Sequence, residues 1–169
     1  MKKNFLQVAA AVVLALVTSC GRQAEKITTG ESLDRIHILA LLPGTFGSPS
    51  YAVVQSSALP GFEDRMLSAM SSLGLAGKWR ARENCTFFAD AYVLAARSQY
   101  ELSAQYSFTL PTSLAVAEVW YHPDGSKPDV GHAIVAAITE NGLQFIEPQN
   151  GAVIKLTDTE RSSVYFCRW

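Results

Sequence analysis

Two Asn-Gly pairs, Asn141-Gly142 and Asn150-Gly151, punctuate the end of this chain. Asn-Gly between short apolar runs is a strong local signal for a tight hairpin, because both residues tolerate positive φ. The runs around these pairs are Ala133–Thr139, Leu143–Glu147 and Val153–Leu156. With Ala115–Tyr121, Val164–Arg168 and a third turn at Pro123-Asp124-Gly125, they predict a C-terminal antiparallel sheet.

The first half of the chain reads differently. Phe62, Met66, Met70 and Leu73 fall on one face at helical period after Pro60, and Gly74 supplies a stop. This stripe reads as core packing. A second helix is expected over Cys85–Ser98, with Phe88, Ala91, Tyr92 and Ala95 on one face and Asn84 as N-cap. The run Ile36–Leu42 fits a buried strand or a short helix, and Tyr51–Gln55 fits a short strand. Helices first and a sheet afterwards define an α+β class.

Three residues in this frame carry chemistry: Cys85, His132 and Glu147. Cys85 would open the second helix, where unpaired backbone N–H groups and the helix dipole favour a thiolate. His132 begins one strand and Glu147 ends the next. Side chains alternate along a strand, and by parity His132 and Glu147 share a face. With Asn141-Gly142 as a two-residue turn they sit four positions apart, about 13 Å at strand rise. A turn at Glu140-Asn141 instead makes them diagonal neighbours within side-chain reach. If they meet, Cys85 is the nucleophile, His132 the proton carrier and Glu147 the group that orients the imidazole. The backbone N–H of Cys85 is the first oxyanion donor, and Gly131 would let the strand approach the helix end. The alternative is a Cys85–Cys167 disulfide. His37 and His122 are weaker candidates.

The segments Asn84-Cys85-Thr86-Phe87-Phe88-Ala89, Gly131-His132-Ala133-Ile134-Val135 and Phe145-Ile146-Glu147-Pro148-Gln149-Asn150-Gly151 resemble the papain-like protease domain of certain mushroom agglutinins. The resemblance covers roughly Phe62 to Trp169. It implies a papain-like α+β fold, with N-terminal helices packed on a C-terminal antiparallel β-sheet and a Cys85-His132-Glu147 triad. Papain-like enzymes usually take a second oxyanion donor from a glutamine shortly before the cysteine. Here Trp79-Arg80-Ala81-Arg82-Glu83 stands instead, and Asn84, Trp79 and Arg82 are the substitutes. The agglutinins' β-trefoil has no counterpart in a chain of 169 residues. The calcium dependence of some agglutinins does not carry over, since the sequence offers no metal-ligand cluster; no cofactor is expected.

The N-terminus reads as an address. Met1-Lys2-Lys3-Asn4 is basic, Phe5–Val17 is apolar but short for a bilayer span, and Val17-Thr18-Ser19-Cys20-Gly21 is similar to a bacterial lipobox. The expected organisation is a lipoprotein signal peptide over 1–19, lipidated Cys20, a flexible tether over 20–34 and a hydrolase domain over 35–169. That places the protein in a bacterial cell envelope, lipid-anchored and extracytoplasmic. The formal charge of −1 shows no basic excess, so nucleic acid is not an expected partner. Three functions follow: a membrane-anchored cysteine peptidase or amidase acting on a peptide or amide, an NlpC/P60-like peptidoglycan peptide hydrolase, or a non-catalytic binding or exclusion lipoprotein.

Overall fold

The computed structural model describes residues 27–75, 84–104, 113–123 and 130–169. The signal segment, Cys20, Trp79, Arg82 and the Pro123-Asp124-Gly125 turn beyond Pro123 lie outside the described residues. Among the described residues, eight strands form one sheet with a central order β1-β2-β5-β4-β8, built from β1 (Thr28–Asp34), β2 (Ser50–Val54), β5 (His132–Thr139), β4 (Val116–Tyr121) and β8 (Phe166–Arg168). Strand β3 (Ser113–Leu114) pairs with β2, β6 (Gly142–Glu147) with β5, and β7 (Ala152–Ile154) with β6. The helices are α1 (Arg35–Leu41), α2 (Leu59–Ser72), α3 (Cys85–Ala104) and α4 (Asp158–Ser162). The class is α+β, as expected.

Two features of the expected sheet need correction. It is mixed, because β2 runs parallel to β3 and β5. It also recruits the segment read as a tether: Thr28–Asp34 pairs antiparallel with β2 through Thr28↔Val54 and Ser32↔Ala52. The domain therefore includes residues before 35. Strand β1 is a polar edge strand held by ladder hydrogen bonds, so it shows no apolar alternation for a sequence reading to find.

The sheet separates two buried clusters. On one face, α2 and α3 pack Phe62, Met66, Met70, Phe88 and Tyr92 against Val116, Ala133, Val135 and Ile146. On the other, Ile38, Tyr51, Leu156 and Trp169 cover Val119, Ile134 and Ala136. Met66 and Met70 are thus core residues. Leu73 is not: it is 77% exposed, since α2 ends at Ser72 and Leu73 leaves the helical register. Gly74, at φ +73, turns the chain, and its N–H and that of Leu75 return to the carbonyls of Ser71 and Met70. This is a Schellman closure. Helix α3 runs past the expected end at Ser98 because Tyr100, one turn beyond Ala96, is buried. Helix α1 resolves the ambiguity of the Ile36–Leu42 run: Asp34 caps it by accepting from the N–H groups of Ile36 and His37.

The turn after Glu147 is built around glycine. Gly151 has φ +65, and a Cβ there would strike the Glu63 carboxylate of α2. The N–H of Gly151 also donates to the Glu147 carbonyl at 2.9 Å. Gly151→Ala is expected to destabilise the protein by about 1–2 kcal/mol from left-handed backbone strain, read as a lower urea midpoint. An unchanged midpoint would remove this reading of the turn.

Candidate active site

The helix that carries Cys85 starts where the sequence says it should. Asn84 is the N-cap: its Oδ1 accepts from the Phe87 N–H at 3.1 Å and its carbonyl accepts from the Phe88 N–H at 3.1 Å. Cys85 is therefore the first helical residue, and its own N–H has no partner within the helix. It can donate to a group bound at the helix start. The Asn84 side-chain oxygen accepts at the cap, and only its amide N–H could donate to an oxyanion.

The hairpin between β5 and β6 decides whether the imidazole and carboxylate meet. The ladder pairs Thr139 with Gly142 and Val135 with Ile146, so the turn is Glu140-Asn141. Gly142, at φ +89, follows the turn instead of lying inside it. Glu140 is held there by the Ser56 backbone N–H at 2.9 Å and the Ser56 hydroxyl at 2.5 Å. This register puts Glu147 two positions from His132 rather than four. The diagonal closes to a hydrogen bond: His132 Nε2 donates to Glu147 Oε2 at 2.7 Å. Glu147 Oε1 accepts from the Gln149 N–H at 3.3 Å, which fixes the carboxylate from its other side.

Cys85 completes the group. The His132 ring and the backbone N–H groups of Ala133 and Thr86 lie near enough to the Cys85 thiol to favour its thiolate. Since Nε2 is engaged by Glu147, Nδ1 is the ring atom left for sulfur. Cys85 belongs to the helix-side cluster, whereas His132 and Glu147 share the strand parity of the opposite one. The three meet at the end of the sheet, where β5 begins and β6 ends. Cys85 is half-buried, and the side chains of His132 and Glu147 keep 25% and 18% of their exposure.

The electrostatics follow from these contacts. Burial pushes the Cys85 thiol up, but the Ala133 N–H, the His132 ring and the Thr86 N–H together bring it below the ordinary thiol value. The Glu147 hydrogen bond raises His132 above an ordinary imidazole; burial opposes this, and the Cys85 contact adds to it. The two shifts have opposite sign and favour the same charged pair, thiolate beside imidazolium. Cys167 contrasts with this. Burial pushes its thiol up to about 12, and it lies against Gly44 in the opposite core. Both cysteines are free, and no disulfide joins the described residues.

Some expected details are corrected. Gly131 does not ease approach to the helix end; a Cβ there would collide with the Tyr165 hydroxyl. His37 sits on the surface against Asp34, and His122 turns Nδ1 to the Val130 carbonyl and stacks on Tyr165. Neither joins the site. The sulfur-directed N–H of Ala133 escaped sequence reasoning, because a backbone donor has no signature of its own. No helix among the described residues is long and apolar enough to cross a membrane.

No protein-family model matches the chain, and no curated protein matches it. Solved structures do. A Polyporus squamosus lectin bound to a human-type influenza-binding epitope, Neu5Aca2-6Galb1-4GlcNAc, shares 14% identity at a TM-score of 0.57, over 82% of this chain and 49% of that one. A PSL1a–E64 complex shares 14% identity at a TM-score of 0.60, over 82% and 51%. The fold is thus similar to that of a mushroom lectin, and the chain spans about half the length of these neighbours.

Proposed function

We propose that the protein is a papain-like cysteine peptidase or amidase. The observation that carries this reading is the convergence of Cys85, His132 and Glu147, with a 2.7 Å imidazole–carboxylate bond behind the thiol contact. The Cys85 thiolate attacks the carbonyl carbon of an amide, and the oxyanion takes the Cys85 N–H. His132 then gives its Nδ1 proton to the leaving amine, and a thioester remains on Cys85. Water, deprotonated by His132, attacks the thioester and restores the thiol. Glu147 keeps Nε2 protonated throughout and stabilises the imidazolium. Cleavage before Cys20 and its lipidation would hold this domain at a bacterial envelope membrane, outside the cytoplasm, beside peptide substrates.

One structural neighbour is a complex with E64. E64 is an epoxide whose ring a thiolate opens, forming a thioether, and this makes it a direct probe. The native chain is expected to gain the mass of one E64 molecule at neutral pH, on the peptide containing Cys85. Cys85→Ala should keep its circular dichroism and gain nothing. Labelling that survives in Cys85→Ala, or that maps to Cys167, contradicts the assignment.

The lectin likeness favours a second reading, a non-catalytic binding lipoprotein. A folded native chain whose Cys85 ignores both E64 and iodoacetamide would support it. Peptidoglycan peptide hydrolysis is the alternative enzymatic reading, and new amine ends on purified muropeptides would identify it.

A further inference from the structure

Trp120 stands one strand away from the nucleophile. It lies directly opposite Ala133 in the β4–β5 ladder, and the Ala133 N–H is a donor to the Cys85 sulfur. Opposed residues in such a ladder have Cα atoms about 4.5–5.5 Å apart and project to the same face. Cys85 and Trp120 accordingly both pack against the helix-side core. On the other side of Trp120, β8 places Phe166 opposite it, with ring centroids 5.0 Å apart. Tyr165 meets the indole edge at 6.1 Å and is itself 51% exposed. Trp120 and Phe166 also keep part of their surface exposed. The result is an aromatic shelf that begins beside the thiol and opens to solvent.

The indole is held in place with unusual care for a half-exposed ring. Its Nε1–H donates to Glu118 Oε1 at 2.6 Å. Glu118 is only 2% exposed, and its second oxygen receives Arg168 at 3.0 Å. Arg168 in turn reaches Asp90 at 2.7 Å, on the helix that Cys85 opens. A buried carboxylate is costly unless it is paired and hydrogen-bonded. Here both of its oxygens are used, one to fix the orientation of Trp120 and one to tie that strand to the nucleophile's helix. A ring needed only for packing could be filled by a leucine or phenylalanine with no buried charge.

We infer that Trp120 is a specificity-determining residue. Its indole, extended by Phe166 and Tyr165, receives an aromatic or large aliphatic side chain adjacent to the scissile carbonyl. The inference rests on the cysteine-hydrolase reading and supplies its substrate class. An aromatic or aliphatic side chain gains contact area on these rings, whereas a charged one gives up hydration to lie on them, so acidic and basic residues are disfavoured at that position.

The test uses two peptidyl chloromethyl ketones that differ only in carrying Phe or Gly next to the warhead. The Cys85 thiolate displaces chloride from either. Rates are normalised to iodoacetamide, which carries no side chain and reports thiol reactivity alone. The native chain is expected to react about tenfold or more faster with the Phe probe than with the Gly probe. Trp120→Ala should bring that ratio towards one, and Trp120→Phe should recover part of it. Equal normalised rates in the native chain overturn the inference while leaving the hydrolase reading intact, and so does a native-like ratio in Trp120→Ala. If Trp120→Ala does not fold, the native ratio and Trp120→Phe still decide. A folded native chain whose Cys85 ignores all three reagents removes the hydrolase reading, and this inference with it.

Discussion

Replacing His132 with alanine is expected to lower amide hydrolysis by about 10²–10⁴-fold, the contribution typical of a positioned acid–base group, with little change in fold. The reason is geometric. His132 sits at the first position of β5 with its ring between the Cys85 sulfur and the Glu147 carboxylate. On the cysteine-hydrolase reading, removing it takes away the proton carrier, and with it one of the groups that pull the thiol below its ordinary value. The Ala133 and Thr86 N–H groups remain, so some thiolate stabilisation survives. Amine release from a mixed peptide pool measures the loss. Hydrolysis within a factor of three of native would exclude His132 from the reaction.

Glu147→Gln is expected to cost less, on the order of 10²-fold, because the amide keeps the shape but loses the charge. Its signature is a pH shift whose sign is fixed by the contacts. Glu147 is the foremost cause of the raised His132 value. Without its charge the imidazolium is less favoured, so His132 titrates at lower pH. The thiolate then loses part of its cationic partner, and Cys85 titrates at higher pH. Both changes disfavour the thiolate–imidazolium pair. A variant with native rate and an unmoved profile would make Glu147 a structural residue only.

Much of this site is legible in the residues. The cap at Asn84 and the parity of the β5–β6 hairpin are local rules, and they place Cys85 at a helix start and bring His132 and Glu147 to one face. The register is less legible. It depends on whether positive φ falls within the Asn141-Gly142 turn or just after it, and Glu140 is anchored in the observed turn by Ser56, far away in sequence. Strand β1 escapes because a polar edge needs only backbone partners. Helix α4 carries a local signature: Thr157 and Glu160 form a capping box, the Thr-x-x-Glu pattern of a helix start. The pairing of buried Glu118 with exposed Arg168 joins residues fifty positions apart, with no local pattern to announce it.

The central claim is that the Cys85 sulfur is ionised by its neighbours. The rate of iodoacetamide alkylation at Cys85, followed from pH 4 to 10, tests it most directly. The account predicts an inflection below the value of an ordinary thiol, which moves up in His132→Ala, and a second inflection as His132 loses its proton above the ordinary imidazole value. A single rise centred on the value of an ordinary thiol, unaffected by His132→Ala, would contradict it.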